Sequence, residues 1–457
     1  MNIKHQIILL NLLFILCLSC NDDEPIDVNL GTGTEEILPE NKLPRVEINT
    51  NGAEIVDEPK IVAQMHIKVN EVTNYEGSIG IEIRGSSSQL FPKKQFGFET
   101  RDDQNEDLDV SLLGFPEEED WILYAPYSDK TLFRNVLIYD LSRDIGRYAS
   151  RVQFVDLYIN DSYNGVYVLM EKLKRDNNRI NINNLKEDEN NGEDLTGGYI
   201  IKIDKADGGG TDYTSVNSFT SSYAPNYSSG GQQIHFLYDN PDEEDITAAQ
   251  RTYIQDYMTN FENALAGNNF TDIENGYNAY IDAQSFIDFF LLNELANNVD
   301  GYRLSTWLVK DKNKKLQMGP IWDFNLAFGN ADYCGAGSTS GWAYKFNERC
   351  SDDFWQIPFW WDRLLEDAAF VAQLQSRWQE LRSTVFSNSA LDKKIDTYVE
   401  TLNLSGAAVD NFQKWDVLGQ YVWPNNFVGN SYNAELGYLT DWLFTRINWL
   451  DSAIMNL

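Results

Sequence analysis

Two aspartates, Asp300 and Asp323, carry the chemistry that this sequence offers most plainly. They stand 23 positions apart, yet the stretch between them is patterned as a hairpin. Ser305–Val309 and Leu316–Ile321 read as strands, and the polar run Lys310–Lys315 reads as the turn that joins them. A hairpin returns to where it began, so carboxylates at its two ends can face one site. Such a pair suits a hard divalent cation, which takes oxygen ligands, and one member can accept the proton of an attacking hydroxyl. Trp322 and Asn325 flank Asp323 and add an aromatic ring and an amide oxygen. The same spacing also fits a structural hairpin whose aspartates only serve its turns.

The elements that must hold this pair are legible on either side. Phe286, Phe289, Phe290, Leu292 and Leu295 recur near helical spacing, with Leu291 widening the face, and Asn297-Asn298-Val299-Asp300-Gly301 is a turn-rich exit. Upstream, Ile79–Arg84 reads as a strand that enters Gly85-Ser86-Ser87-Ser88, and Gln95–Glu99 is the next strand. A Gly/Ser loop between strands can offer N–H groups to phosphate, with Lys93 or Lys94 adding charge. A plain hairpin turn fits the loop as well, and no GxGxxG or Walker motif is present. Trp121–Ala125 is a strand, and Asp129 is placed to cap a helix over Lys130–Asp144 that carries Arg134 and Asn135. Those two residues fit a solvated face or an ion pair with Asp129 or Glu171. Val152–Glu171 is a hairpin about Asn160-Asp161, and Glu171, at the end of an apolar strand, needs a partner. Gly198–Asp204 is a further strand, with Lys202 a phosphate contact or an edge lysine. Helices are expected over Asp242–Ala266, Arg363–Phe386, Ala390–Leu404 and Tyr438–Met455.

Composition excludes several functions. The 457 residues hold 70 acids against 36 bases, a net charge of −34, which denies a broad electrostatic footprint for nucleic acid. The hydrophobic content of 42% is ample for a large core. Lys4 and His5 precede the apolar run Ile7–Leu18, and Leu18-Ser19-Cys20 closes it like a lipoprotein signal. Residues 1–19 are then a removed leader, Cys20 the acylated anchor, and residues 20–42 an acidic tether. This predicts an outer-membrane lipoprotein, exposed at the surface or else facing the periplasm, that meets the membrane through lipid alone. Once the leader is gone only His66 and His235 remain, too few for a histidine metal centre and poor material for a Ser-His-Asp triad. Cys334 and Cys350 are then left in an oxidising compartment, and a disulfide closing the Gly/Ser-rich segment 335–341 is the leading reading.

The order helix, Asp-bearing loop, hairpin, Asp-Phe-Asn resembles the way a protein kinase arranges its catalytic loop and its metal-binding Asp-Phe-Gly. Further motifs in order make the resemblance specific. These are Leu43-Pro44-Arg45-Val46-Glu47-Ile48, Arg84–Ser88 with Phe91-Pro92-Lys93-Lys94, Trp121–Asn135, Tyr158-Ile159-Asn160, Gly165–Glu171 and Gly197-Gly198-Tyr199. Together they are similar to the spore-coat CotH kinase family, in a lipoprotein form of Bacteroidetes type. The resemblance implies an α+β, atypical kinase-like domain over residues 43–457, with a β-rich lobe to about 240 and a helical lobe from about 241. It implies phosphate transfer from ATP to Ser or Thr of a protein with Mg²⁺ or Mn²⁺. Asp300 and Asp323 would be catalytic and metal-binding, and Asn325 a further ligand. Arg84, Ser86, Ser87, Lys94 and Lys202 would meet phosphates, Glu171 would hold a lysine or touch adenine, and Trp322 would stack on the base. The chain departs from ordinary kinases in lacking His-Arg-Asp, in having Ser305 five residues after Asp300, and in placing Asn325 where Gly stands in Asp-Phe-Gly. Because a surface lipoprotein sees little ATP, the alternative is a non-catalytic adhesin or glycan-associated module on the same fold, with a surface glycan or host protein as partner. A monomer is expected. A glycosidase carboxylate pair is a third possibility, but no particular pair is singled out.

Overall fold

Seven strands near the N-terminus curl into a closed barrel. The computed structural model describes residues 42–206 and 209–457; the leader, Cys20 and nearly all of the tether expected from the sequence lie outside the described residues. The barrel strands are β1 (Arg45–Asn49), β2 (Ile61–Val69), β3 (Val72–Arg84), β4 (Gln95–Arg101), β5 (Asp120–Tyr124), β6 (Val152–Ile159) and β7 (Ser162–Glu171). Their order is β1-β2-β3-β4-β5-β7-β6, and a parallel β1–β6 pairing, Val46 opposite Leu157, closes the ring. Alternation builds the interior: Val46 and Ile48, Met65 and Ile67, Ile79 and Ile81, Phe96 and Phe98 all point inward and are buried. Closure leaves no free sheet edge.

A second sheet has the order β12-β11-β8-β10-β9, from β8 (Tyr199–Ile203), β9 (Ser218–Thr220), β10 (His235–Asn240), β11 (Thr306–Lys310) and β12 (Gln317–Ile321). The hairpin read between Asp300 and Asp323 is therefore β11–β12. It docks on β8 with Thr306 opposite Ile203, which sets Asp204 beside Ser305.

Helices dominate the C-terminal part: α1 (Arg134–Asp144), α2 (Ala248–Ala266), α3 (Ala283–Ala296), the short α4 (Phe346–Arg349) and α5 (Trp360–Leu364), then α6 (Ala368–Ser383), α7 (Asn388–Leu404), α8 (Ala407–Lys414) and α9 (Tyr432–Ala453). Helix α3 is buried all round, from Ser285 to Ala296, as its apolar sequence requires. Each Phe or Leu removed from water there contributes about 1.5–3 kcal/mol before entropy is charged against it. Asp282 caps its N-terminus by accepting from the Gln284 and Ser285 N–H groups, and Asn297 ends it in the left-handed conformation, φ 42°. Among the described residues no helix is long and apolar enough to cross a membrane.

Several expected helix limits move for local reasons. The helix expected from Lys130 starts at Arg134, because Asp129 spends its oxygens on the Thr131 and Arg134 N–H groups, at 3.1 and 2.8 Å. The one expected from Asp242 starts at Ala248, behind a capping box between Thr247 and Gln250. The one expected over Arg363–Phe386 breaks in two where Asp367 caps a fresh N-terminus.

Candidate active site

A cleft of about 370 Å³ collects residues from many parts of the chain, four of which supply its charged and hydroxyl groups. The end of β3 supplies Arg84 and the loop Gly85–Ser88; the end of β8 supplies Lys202, Asp204 and Lys205; the loop after α3 supplies Asp300 and Ser305; the segment after β12 supplies Trp322, Asp323 and Asn325. Of the residues singled out in the sequence, Arg84, Ser86, Ser87, Lys202, Asp300, Trp322, Asp323 and Asn325 thus line one cavity. Its volume falls in the range of small-molecule sites.

Local backbone geometry explains how these side chains are aimed. Asp323 has φ 60° and Ser305 φ 47°, left-handed conformations that a non-glycine residue holds only where its surroundings demand it. The Asp323 N–H donates to the Tyr139 hydroxyl at 3.1 Å, and the Phe324 N–H donates to Asn135 Oδ1 at 2.7 Å. Both acceptors come from α1, so α1 sets the posture of Asp-Phe-Asn. Arg134 beside them is buried in an ion pair with Asp129 at 2.6 Å. In the Asp300 turn, a Cβ on Gly301 would lie 2.2 Å from Asn293 Oδ1, so any larger residue there would have to displace the Asn293 amide. Gly85, at φ 104°, would meet Ser88 Oγ at 2.1 Å if it carried a Cβ, which explains the glycine that opens the serine loop.

The cleft is electrostatically tense. Burial, then the charges of Asp300 and Asp204, push the Asp323 carboxyl up to about 6, against the opposing pull of Arg84 and Lys205. Burial also raises Asp204, although the Lys205 N–H at 2.9 Å and the Lys202 charge oppose it. Burial lowers Arg84, and Asp323 restores part of that loss. Arg84 lies over the Trp322 ring at 5.9 Å, and Trp322 stacks on Tyr139 at 5.9 Å. Lys202 pairs with Asp239 at 2.9 Å. Tyr124 and Tyr139, raised by burial and by Asp323 among other charges, present neutral hydroxyls.

Two residues singled out for nucleotide contact fall outside this lining. Lys94 turns its ammonium to the Gln89 carbonyl at 2.5 Å. Glu171 pairs with Arg151 at 2.5 Å and accepts from Tyr148 and the Arg151 N–H. Lys93 is buried against the Val166 carbonyl at 2.6 Å and Asn411 Oδ1 at 2.8 Å, pinning α8 to β7. Conversely, the sequence reading passed over Asp204 and Lys205 as site residues. The signal available was Asp204 at the mouth of an apolar strand, on the same face as Lys202.

Among the described residues, the trio of ligand-type side chains whose oxygens all lie within 4.8 Å of one another is Glu118, Glu119 and Asp120. It lies outside the cleft and is already neutralised, by Lys174 at 2.6–2.8 Å and Arg179 at 2.9 Å. The expected disulfide is present: Cys334 and Cys350 are bonded, with Cα atoms 5.9 Å apart. It fastens the segment after Asn330, where the Asn297 amide donates to the Gly335, Ala336 and Ser338 carbonyls.

No curated protein matches this chain. A family model described as CotH kinase protein matches residues 81–450, a span that contains every residue lining the cleft. The chain belongs to the CotH kinase protein family.

Proposed function

We propose that this chain is a metal-dependent protein kinase that binds ATP in the cleft and transfers its terminal phosphoryl group to a Ser or Thr hydroxyl of another protein. The observation that carries this reading is the convergence of Asp300, Asp323 and the Arg84–Ser88 loop on one cavity. The order of parts supports a kinase-like arrangement: a β-rich region, the helix α3, an aspartate loop, a hairpin, and Asp-Phe-Asn.

The donor set fits Mg²⁺ or Mn²⁺. It is all oxygen and it is anionic, and burial, then the charges of Asp300 and Asp204, raise Asp323. Asp323, Asp300 and Asn325 would hold the cation, with Asp204 adding negative charge beside them. The bound cation would neutralise charge on the phosphate oxygens. Arg84, Lys202 and Lys205 bind the phosphates by charge, and the Gly85–Ser88 loop offers N–H and hydroxyl donors. Trp322 provides a flat apolar surface for the base. Asp300 Oδ1 accepts from Arg303 at 2.7 Å, which leaves Oδ2 to take the proton of the acceptor hydroxyl. As that oxygen bonds to phosphorus, the bond to the departing ADP breaks. The lipoprotein-like leader and Cys20 read in the sequence support a lipid-anchored position at the outer membrane, exposed at the surface or facing the periplasm.

The test is intact-mass spectrometry of the full chain after incubation with ATP and Mg²⁺ or Mn²⁺, beside Asp323→Asn. Gains of one phosphate unit that vanish in the variant are the expected result. No gain, with no thermal shift from nucleotide, overturns the kinase reading and favours a binding module on the same fold.

A further inference from the structure

We infer that Arg303 is the positioning residue of this cleft, and that through it the loop after the disulfide sets the carboxylate of Asp300. This rests on the reading of Asp300 as a metal-binding and catalytic group.

Arg303 is buried, its side chain only 3% exposed. Each guanidinium nitrogen has an acceptor. Nε donates to the Val299 carbonyl at 2.9 Å, Nη2 to Asp300 Oδ1 at 2.7 Å, and Nη1 to Asp353 Oδ1 at 3.2 Å and the Trp355 carbonyl at 3.3 Å. Its plane lies on the Phe346 ring, 3.9 Å from the centroid. A planar fork held on three sides has one orientation, and it hands that orientation to Asp300. A lysine would keep the charge but could not span the same acceptors.

The far side of the fork is a built loop. Cys350, bonded to Cys334, opens it. The Gln356 amide closes it by donating to the Cys350 and Asp353 carbonyls at 2.9 and 2.8 Å, and the Trp355 N–H donates to Asp353 Oδ1 at 2.9 Å. The same loop also reaches the main chain of a second cleft residue, Asp204. Trp355 Nε1 donates to the Tyr213 hydroxyl at 2.9 Å, and that hydroxyl donates to the Asp204 carbonyl at 2.6 Å. Lys205 lies over the Trp355 ring at 5.2 Å. One loop therefore holds the Asp300 carboxylate through Arg303 and the Asp204 main chain through Tyr213. Groups that orient metal ligands in this way typically change metal affinity or activity 10–100-fold when lost.

The experiment compares Arg303→Lys, Asp353→Asn and the double variant in the full chain, each with its charge at position 303 intact. Mn²⁺ affinity is measured by electron paramagnetic resonance without nucleotide, then kcat and KM with ATP, with melting temperature recorded for each. We expect Mn²⁺ affinity and kcat to fall on the order of 10-fold in Asp353→Asn and further in Arg303→Lys, with the double variant no worse than Arg303→Lys. If Arg303→Lys does not fold, Asp353→Asn decides alone, because Asp353 is 28% exposed. Lower melting temperatures with Mn²⁺ affinity within twofold of wild type overturn the inference and leave Arg303 a structural residue. Wild-type chain that binds Mn²⁺ but transfers no phosphate overturns the proposed reaction while the Mn²⁺ comparison still decides on Arg303.

Discussion

Replacing Asp323 by Asn should stabilise the metal-free protein while abolishing its response to nucleotide. In the folded chain the Asp323 carboxyl is pushed from 3.8 up to about 6, by burial first and then by Asp300 and Asp204. A carboxyl raised this way disfavours the folded state above its folded pKa. The shift of about two units sets a ceiling of about 3 kcal/mol, and solvent screening at the cleft mouth reduces it to about 1–2 kcal/mol. Asn is the right replacement, because φ at this position is 60° and Asn tolerates the left-handed conformation where Ala does not. For a chain of this size that free energy corresponds to a rise of about 1–2 °C in melting temperature, measured with EDTA at pH 7.5. The sign follows from proton binding: between about 4 and 6 the folded state holds more protons than the unfolded, so wild-type stability falls as pH rises through that window. The advantage of Asp323→Asn should therefore shrink as pH drops from 7 to 4. With Mn²⁺ and ATP the ranking should invert, since saturation at 100 times Kd stabilises wild type by about 2.7 kcal/mol. An Asn variant that melts below wild type in EDTA, or that gains as much as wild type from Mn²⁺ and ATP, refutes the account of three carboxylates held in tension for a cation.

Other residues give sharper contrasts. Asn135→Ala removes the acceptor of the Phe324 N–H and should cost about 1–3 kcal/mol in urea unfolding, together with phosphate transfer. Glu171→Gln should lower stability by loosening the Arg151 ion pair, yet leave the nucleotide affinity of the folded protein within twofold, as measured by calorimetry. Lys94→Ala should leave that affinity unchanged, since the Lys94 ammonium is turned to the Gln89 carbonyl, whereas Arg84→Met should weaken it roughly 10-fold, an effect in line with a charge-assisted bond to phosphate. Equal losses for Lys94→Ala and Arg84→Met would contradict the cleft as described.

The parts of the site that the sequence disclosed are those written in local pattern. A helix that is apolar throughout, a turn, two short strands and a second aspartate specify the Asp300–Asp323 hairpin almost without tertiary help. The Gly85–Ser88 loop is local too. What the sequence hid depends on pairings between distant segments. Asp204 enters the cleft because β8 pairs with β11, a contact across about a hundred residues that no local period encodes. Lys94 and Glu171 illustrate the reverse. Both sit at strand ends beside apolar runs, where a charge needs a partner, but the partners are the Gln89 carbonyl and Arg151 rather than a ligand. Barrel closure between β1 and β6 was equally invisible, because alternation marks which face of a strand is buried and not which strand lies next to it.

The contrast between the two acidic groupings shows what makes carboxylates available for a ligand. Glu118, Glu119 and Asp120 are the closer set, but Lys172, Lys174 and Arg179 already supply the positive charge that a cation would bring. Asp204, Asp300 and Asp323 are spread more widely, and burial first, then the charges of Asp300 and Asp204, keep the Asp323 carboxyl raised against the pull of Arg84 and Lys205. A wider spread is what a cation shared with phosphate requires, because Mg²⁺ keeps several positions for phosphate oxygens and water and takes only one or two from carboxylates. Every member of the Glu118–Asp120 cluster is held in a direct ion pair, whereas the Asp323 carboxyl is raised by burial first and then by neighbouring acids. Lys172→Ala with Lys174→Ala should thus create weak Mn²⁺ binding at Glu118–Asp120 without adding to the phosphate transfer of the cleft. Transfer arising there would show that position relative to Arg84 and the Ser86–Ser88 loop matters less than the reasoning here requires.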